Sequence, residues 1–262
     1  MIPVSPRRMK VPGSRLAKDC ETRDPETRVQ PARFLLPLLL ASAGLLLPLC
    51  SARAELLAGW DAQGFTFRTV PPTLTPKVWS ETVDDPTYGV IGSVTVAPAV
   101  QIIEGLAPGP ELKPSELNNA WGAGLFDQTS QAEAISAGQY FTVTIAPQKG
   151  STISLTDLEF NLRMNASGLT YAYIWQYAME GREFTDIGTP CEGVTTDTLG
   201  MALPKVDLSG IPELQNLRTP VTFRLVSWKT NPEAFPGGYF VIFGRLPGND
   251  LTINGTQSKA VP

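Results

Sequence analysis

Four runs decide the fold: YFTVTIA at 140–146, PQKG at 147–150, STISLTDLEFNLRM at 151–164 and TYAYIWQYA at 170–178. In the first, Phe141, Val143 and Ile145 share one face and Tyr140, Thr142 and Thr144 the other, the two-residue period of a half-buried strand. Pro147 cannot donate to a ladder and Gly150 tolerates positive φ, so 147–150 reads as a turn between two antiparallel strands. Beyond it Ile153 and Leu155 keep the odd phase, whereas Leu158, Phe160, Leu162 and Met164 take the even one. A change of phase sends half of a strand's apolar set into water unless one extra residue is absorbed. A bulge or break is therefore predicted near Thr156 and Asp157.

The fourth run places Tyr171, Tyr173, Trp175 and Tyr177 on one face, against Thr170, Ala172, Ile174, Gln176 and Ala178. Four rings side by side are a candidate platform for stacking sugars, each with an apolar face and a polar tip. Core packing is the competing reading, because aromatic residues suit a pleated surface.

Working outward, 56–61 reads as an edge strand with Leu56, Ala58 and Trp60 on one face, and 65–70 alternates again. The proline-rich stretch 71–85 reads as a surface loop, and 90–96 and 100–104 as short strands around Pro98. Two helical signals follow: Ser115 capping a turn through Asn118, and Ser130 with Glu133 in a capping box that ends at Gly138. Trp121, between Asn118 and Gly124, is a candidate exposed ligand-binding residue; plugging the edge of the core is the alternative. Later strands are expected at 221–225, at 239–243 in a central position, and at 250–254, with loops at 183–186 and 195–207. The nine or ten runs, with 24 prolines and 23 glycines between them, fit an all-β, two-sheet antiparallel β-sandwich with one or two short helices.

The runs AISAGQYFTVTIAPQKGSTISLTDLEFNLR, YIWQYAMEG, VTFRLVSW and GNDLTINGT resemble a group of exported bacterial β-sandwich proteins, jelly-roll-like, that usually carry a PEP-CTERM sorting tail. They span about Ala134 to Thr256, most of the expected mature chain. The resemblance implies a fold and a compartment and supplies no catalytic residues. Such relatives continue past Val-Pro into a hydrophobic helix and an arginine cluster; this sequence ends at Val261-Pro262, consistent with a lost tail or with release instead of anchoring.

The apolar run 34–50 follows Arg28 and Arg33 and precedes Ala52-Arg53-Ala54, the small-x-small pattern of signal peptidase. Residues 1–54 are thus expected to be an N-terminal extension and signal peptide, cleaved after Ala54, with 55–262 a single domain. The run is shorter than the ~20 residues of a bilayer span and is broken by Pro37 and Pro48, so no stable membrane anchor is expected. Removing 1–54 takes nine of 21 basic and four of 25 acidic residues, leaving 12 against 21, a net charge of −9. That balance argues against nucleic acid and anionic membrane as partners and is compatible with an extracellular polysaccharide. Cys20 and Cys50 leave with the leader, so Cys191 is expected to be a free thiol.

The sequence has no histidine, which removes serine–histidine triads and imidazole bases. Paired-carboxylate glycan hydrolysis or lysis survives as an alternative, with Glu159, Glu180, Glu183 and Asp186 near the aromatic strand. Calcium asks only for oxygen ligands. First and last strands often lie together in such sandwiches, which would join Asp61 and Asp250, with Asn249 and Asn254 as helpers. The competing reading is that Asp61 and Asp250 begin turns. The expected function is a non-catalytic, secreted or cell-surface protein, structural or carbohydrate-binding.

Overall fold

A computed structural model describes residues 54–63, 83–85, 89–91, 93–110, 112–117, 120–164, 170–194, 200–231, 239–244 and 247–259. The expected leader, up to Arg53, and the strand expected at 65–70 lie outside them. In chain order the strands are β1 (Glu55–Asp61), β2 (Val83–Asp85), β3 (Gly89–Ile91), β4 (Ser93–Val96), β5 (Val100–Pro108), β6 (Lys113–Leu117), β7 (Ala120–Phe126) and β8 (Tyr140–Pro147). There follow β9 (Ser151–Met164), β10 (Tyr171–Met179), β11 (Thr185–Asp186), β12 (Cys191–Val194), β13 (Met201–Ala202), β14 (Val206–Asp207), β15 (Val221–Lys229), β16 (Tyr239–Gly244) and β17 (Leu251–Lys259). Sheet I has the order β4-β1-β17-β9-β16-β7-β6, with β13 and β14 added to β9; sheet II has the order β11-β10-β15-β8-β5, with β12 also on β10. The described pairings are all antiparallel, so the expected two-sheet sandwich is what the chain forms.

The sheets meet through rings. Phe160 of β9 stands edge-on to Tyr173 and Trp175 of β10, centroids 5.5 and 5.4 Å apart, and Phe141 of β8 stands edge-on to Phe243 of β16 at 5.4 Å. Each such pair contributes roughly 0.5–1.5 kcal/mol beyond the apolar area it buries.

The phase change in β9 is absorbed where the residue pattern requires it. Asn254 of β17 faces Asp157, but the next residue, Gly255, faces Leu155, which leaves Thr156 as the extra residue. Ile153 and Leu155 before the bulge, and Leu158, Phe160 and Leu162 after it, are consequently all buried. The Thr156 carbonyl, freed from the ladder, accepts from the Leu208 N–H at 2.8 Å. Glycine is needed opposite: a Cβ on Gly255 would lie 2.1 Å from the Ser154 carbonyl oxygen and 2.7 Å from Leu57 Cδ1.

The capping box also forms. Ser130 caps α1 (Gln131–Ser136), its Oγ accepting from the Glu133 N–H at 3.3 Å and donating to Glu133 Oε2 at 2.9 Å, and Gly138 takes φ 64° beyond the helix end. Ala134 of this helix packs on Ala172, Ile174, Val226 and Trp228, the outward face of sheet II. Replacing Ser130 by Ala is expected to lower stability by about 1 kcal/mol in urea denaturation, with unchanged m-value.

Four expectations are corrected. Residues 147–150 do turn, with Gly150 at φ 76°, but they join β8 of sheet II to β9 of sheet I and make no hairpin. Because each of those strands buries one apolar face, the chain changes layers so that the faces meet. The helix expected from Ser115 is replaced by the β6–β7 hairpin, in which Leu117 pairs with Ala120 and β7 pairs with β16; this non-local pairing overrides the local cap signal. β1 is not an edge strand, since β4 pairs outside it. Cys191 is disulfide-bonded instead of free. The other two cysteines of the chain, Cys20 and Cys50, lie outside the described residues.

Candidate functional site

Placement of the aromatic strand in sheet II sets the direction of its rings. Tyr171, Tyr173, Trp175 and Tyr177 point into the sandwich and are 0, 4, 2 and 9 % exposed. No sugar can stack on them without opening the core, so these rings form no surface platform. Burial pushes the Tyr171 and Tyr173 hydroxyls well above the ordinary phenol range. Burial also raises Tyr177, with the Glu213 charge adding to the shift. Trp121 is 2 % exposed and lies on β7, packed obliquely on Phe141 at 5.5 Å and Phe243 at 6.2 Å. It is a core residue, not an exposed loop tryptophan.

Asp61 and Asp250 do come together, because β1 pairs with β17 up to Trp60 opposite Leu251. Both also serve turns. Asp61 Oδ1 accepts from the Gln63 N–H at 2.8 Å, and Asp250 Oδ2 accepts from the Ala62 N–H at 2.8 Å while the Asp250 N–H donates to the Trp60 carbonyl at 2.6 Å. Asp250 is fully buried and its Oδ1 has no hydrogen-bond partner. Burial pushes its carboxyl up to about 7; the Ala62 N–H and the Asn161 side chain oppose that shift and the Asp61 charge reinforces it. Calcium requires six to eight oxygens, and here one oxygen of each carboxylate is already held by a backbone N–H. Asn254 is turned elsewhere, donating to Asp157 Oδ1 at 2.7 Å. Among the described residues no group of three or more cysteines and carboxylates is placed to hold a metal.

A second carboxylate pair lies after the bulge. Asp157 and Glu159 share Lys205, whose Nζ is 3.2 and 2.8 Å from them. The hydrogen bond that Lys205 donates to Glu159 raises the lysine pKa, so the amine keeps its charge.

The outward face of sheet II carries a group that the residue pattern did not single out. Thr142, Arg224, Gln176 and Asp186 stand opposite one another in a row across β8, β15, β10 and β11. Arg224 Nε donates to Gln176 Oε1 at 2.7 Å; Gln176 Nε2 donates to Asp186 Oδ1, which also accepts from Gln131 Nε2 of α1 at 2.9 Å. The guanidinium carbon lies 3.8 Å from the Phe184 ring centroid and 5.1 Å from that of Tyr140. Tyr140, Phe184 and Arg224 are all half-buried. Burial lowers the Arg224 pKa, and the nearby Tyr140, Asp186 and Glu183 oppose that shift. In the next row the Thr144 and Thr222 hydroxyls lie 2.9 Å apart. Ring faces, a braced guanidinium and paired hydroxyls are groups suited to the C–H faces and hydroxyls of a saccharide. The sequence shows Arg224 at an outward position of its strand, but its partners come from three other strands and a helix.

Comparison with protein-family models, curated proteins and solved structures returned no match. Among the described residues no helix is long and apolar enough to cross a membrane.

Proposed function

We propose that this chain is an exported, non-catalytic β-sandwich module of the cell surface or extracellular matrix, which holds polysaccharide on the outward face of sheet II. The observation that carries the reading is the Arg224 guanidinium set against Phe184 and Tyr140 and braced by Gln176 and Asp186. Export rests on the apolar run 34–50 and the Ala52-Arg53-Ala54 site. Cleavage after Ala54 would separate Cys20 and Cys50 from the domain that carries Cys191. N-terminal sequencing and a non-reducing mass of the exported protein check this, and retention of residues 1–54 would overturn cleavage.

Binding is tested by a glycan array and by affinity electrophoresis in neutral polysaccharides, with and without calcium. Arg224→Ala and Phe184→Ala are each expected to weaken retention roughly 3- to 30-fold, the range of a partly desolvated cation–ring contact. Retention unchanged in both variants would remove this face from the reading, and no retention on any glycan leaves a structural role. The hydrolase alternative gains nothing from the geometry. Asp250 is closed to substrate, and Asp157 and Glu159 are bridged by one lysine in place of flanking a free glycosidic oxygen.

A further inference from the structure

At one end of the sandwich three segments converge. The β8–β9 connection brings Lys149 and leads into Ser151 and Thr152. A two-way bridge between Leu217 and Ile153, with N–H to carbonyl distances of 2.7 and 3.3 Å, sets Arg218 beside Thr152. The last strand, β17, places Ser258 opposite Thr152 and Lys259 opposite Ser151. Between them lies a surface cleft of about 410 Å³, lined by Lys149, Ser151, Thr152, Arg218 and Ser258 among others. The Thr152 and Ser258 hydroxyls are 2.6 Å apart. Lys149, Arg218 and Lys259 are exposed, and among the described residues none of them makes an ion pair. Gly150, at φ 76° with open space where a Cβ would stand, leaves the rim of the cleft uncovered.

The charge pattern is what sets this cleft apart. Residues 55–262 carry 12 basic against 21 acidic side chains, yet Lys149 and Arg218 line this cleft, with Lys259 next to the lining Ser258, and among the described residues none of the three has a carboxylate partner. A guanidinium fork and an ammonium on either side of a hydroxyl-lined trough match an anionic group borne on a sugar: the fork takes two oxygens in parallel, the ammonium supplies a point charge, and the hydroxyls meet ring hydroxyls. An anionic membrane is a poorer fit. A broad surface meets the −9 charge of the whole domain, whereas one chain lying in the cleft meets mainly the local cations, since charges beyond ~8–10 Å are screened at about 0.1–0.15 M salt.

We propose that this cleft, formed by the β8–β9 connection, Arg218 and the end of β17, is a binding site for an acidic polysaccharide, recognised through its carboxylate or sulfate groups. It shares no residue with the Arg224 face, so either site can fail without the other.

The test is affinity electrophoresis of the purified protein in gels containing polygalacturonate, dextran sulfate or neutral dextran. A Lys149→Gln/Arg218→Gln double variant is expected to bind at least one polyanion about tenfold or more weakly, with binding of the parent falling between ~50 and ~200 mM salt. Polygalacturonate alone retained identifies the carboxylate, dextran sulfate alone the sulfate. Arg224→Ala is expected to leave polyanion retention unchanged, which separates this site from the neutral-sugar face. The proposal is overturned if the double variant binds polyanions like the parent, if Lys205→Gln weakens binding as much, or if dextran is retained equally in a cleft-dependent way. Vesicles of phosphatidylglycerol bound as tightly as the polysaccharides, with the same loss in the double variant, would also overturn it, in favour of a membrane surface.

Discussion

Deleting Glu159 is expected to abolish folding, whereas deleting Thr156, three residues earlier in the same strand, is expected to leave a folded protein. Thr156 is the extra residue of the β9 bulge, so its removal leaves Leu155 followed by Asp157 and then Leu158: inward, outward, inward, an unbroken alternation. That variant loses the hydrogen bonds of Thr156 with Leu208 and Asp157 and is expected to be destabilised by only about 1–3 kcal/mol. Removal of Glu159 instead turns Phe160 and Leu162 outward and drives Asn161 into the sandwich. Exposing two such side chains costs roughly 3–6 kcal/mol before any cavity or buried-amide cost, a large share of the ~5–15 kcal/mol that holds a domain folded. Far-UV and near-UV circular dichroism with thermal melts compare the two deletions directly. Equal behaviour would mean that the phase change is not absorbed at Thr156.

The second large effect is on pH dependence. Burial pushes the Asp250 carboxyl from its ordinary 3.8 up to about 7 in the folded chain. Between those values the folded state holds a proton that the unfolded state has released, so this group's contribution to stability is greatest below about pH 4, falls as pH rises towards 7, and is flat above. The fall is on the order of 1.4 kcal/mol per pH unit across that window, a few kcal/mol in all. Asp250→Asn keeps an acceptor for the Ala62 N–H and carries no charge. It is expected to remove the slope and to exceed the parent in stability at pH 8 by about 1–3 kcal/mol. Urea unfolding at pH 4.5, 6 and 8 measures both chains. Parallel profiles would show that the Asp250 charge is met by a partner or by water.

The same residue illustrates how a reading of types and spacing can be right about proximity and short on chemistry. Asp61 and Asp250 were expected together because first and last strands pair, and they are. What they do there is set by the Ala62 and Gln63 N–H groups, which take one oxygen from each carboxylate, and by the enclosure of the other Asp250 oxygen. Backbone donors of this kind leave no trace in the order of side chains. The basic cleft was equally hidden. Lys149, Arg218 and Ser258 are dispersed along the chain and line one cleft because Leu217 bridges to Ile153 and β17 runs beside β9.

By itself the order of residues determined the alternation of β8, the bulge in β9, the capping box of α1 and the all-β class. Each depends on side chains a few positions apart, whose faces follow from the two-residue or 3.6-residue period of the backbone. Only the tertiary structure decided which layer each strand joins. A period of two says that two faces differ, but for a strand such as β10, with rings on one side and Ala172, Ile174 and Gln176 on the other, either face can be covered. Pairing with β15 and β11 turned the rings inward and set Gln176 in line with Arg224 and Asp186. The candidate binding face is thus a product of non-local strand pairing, which the local period cannot specify.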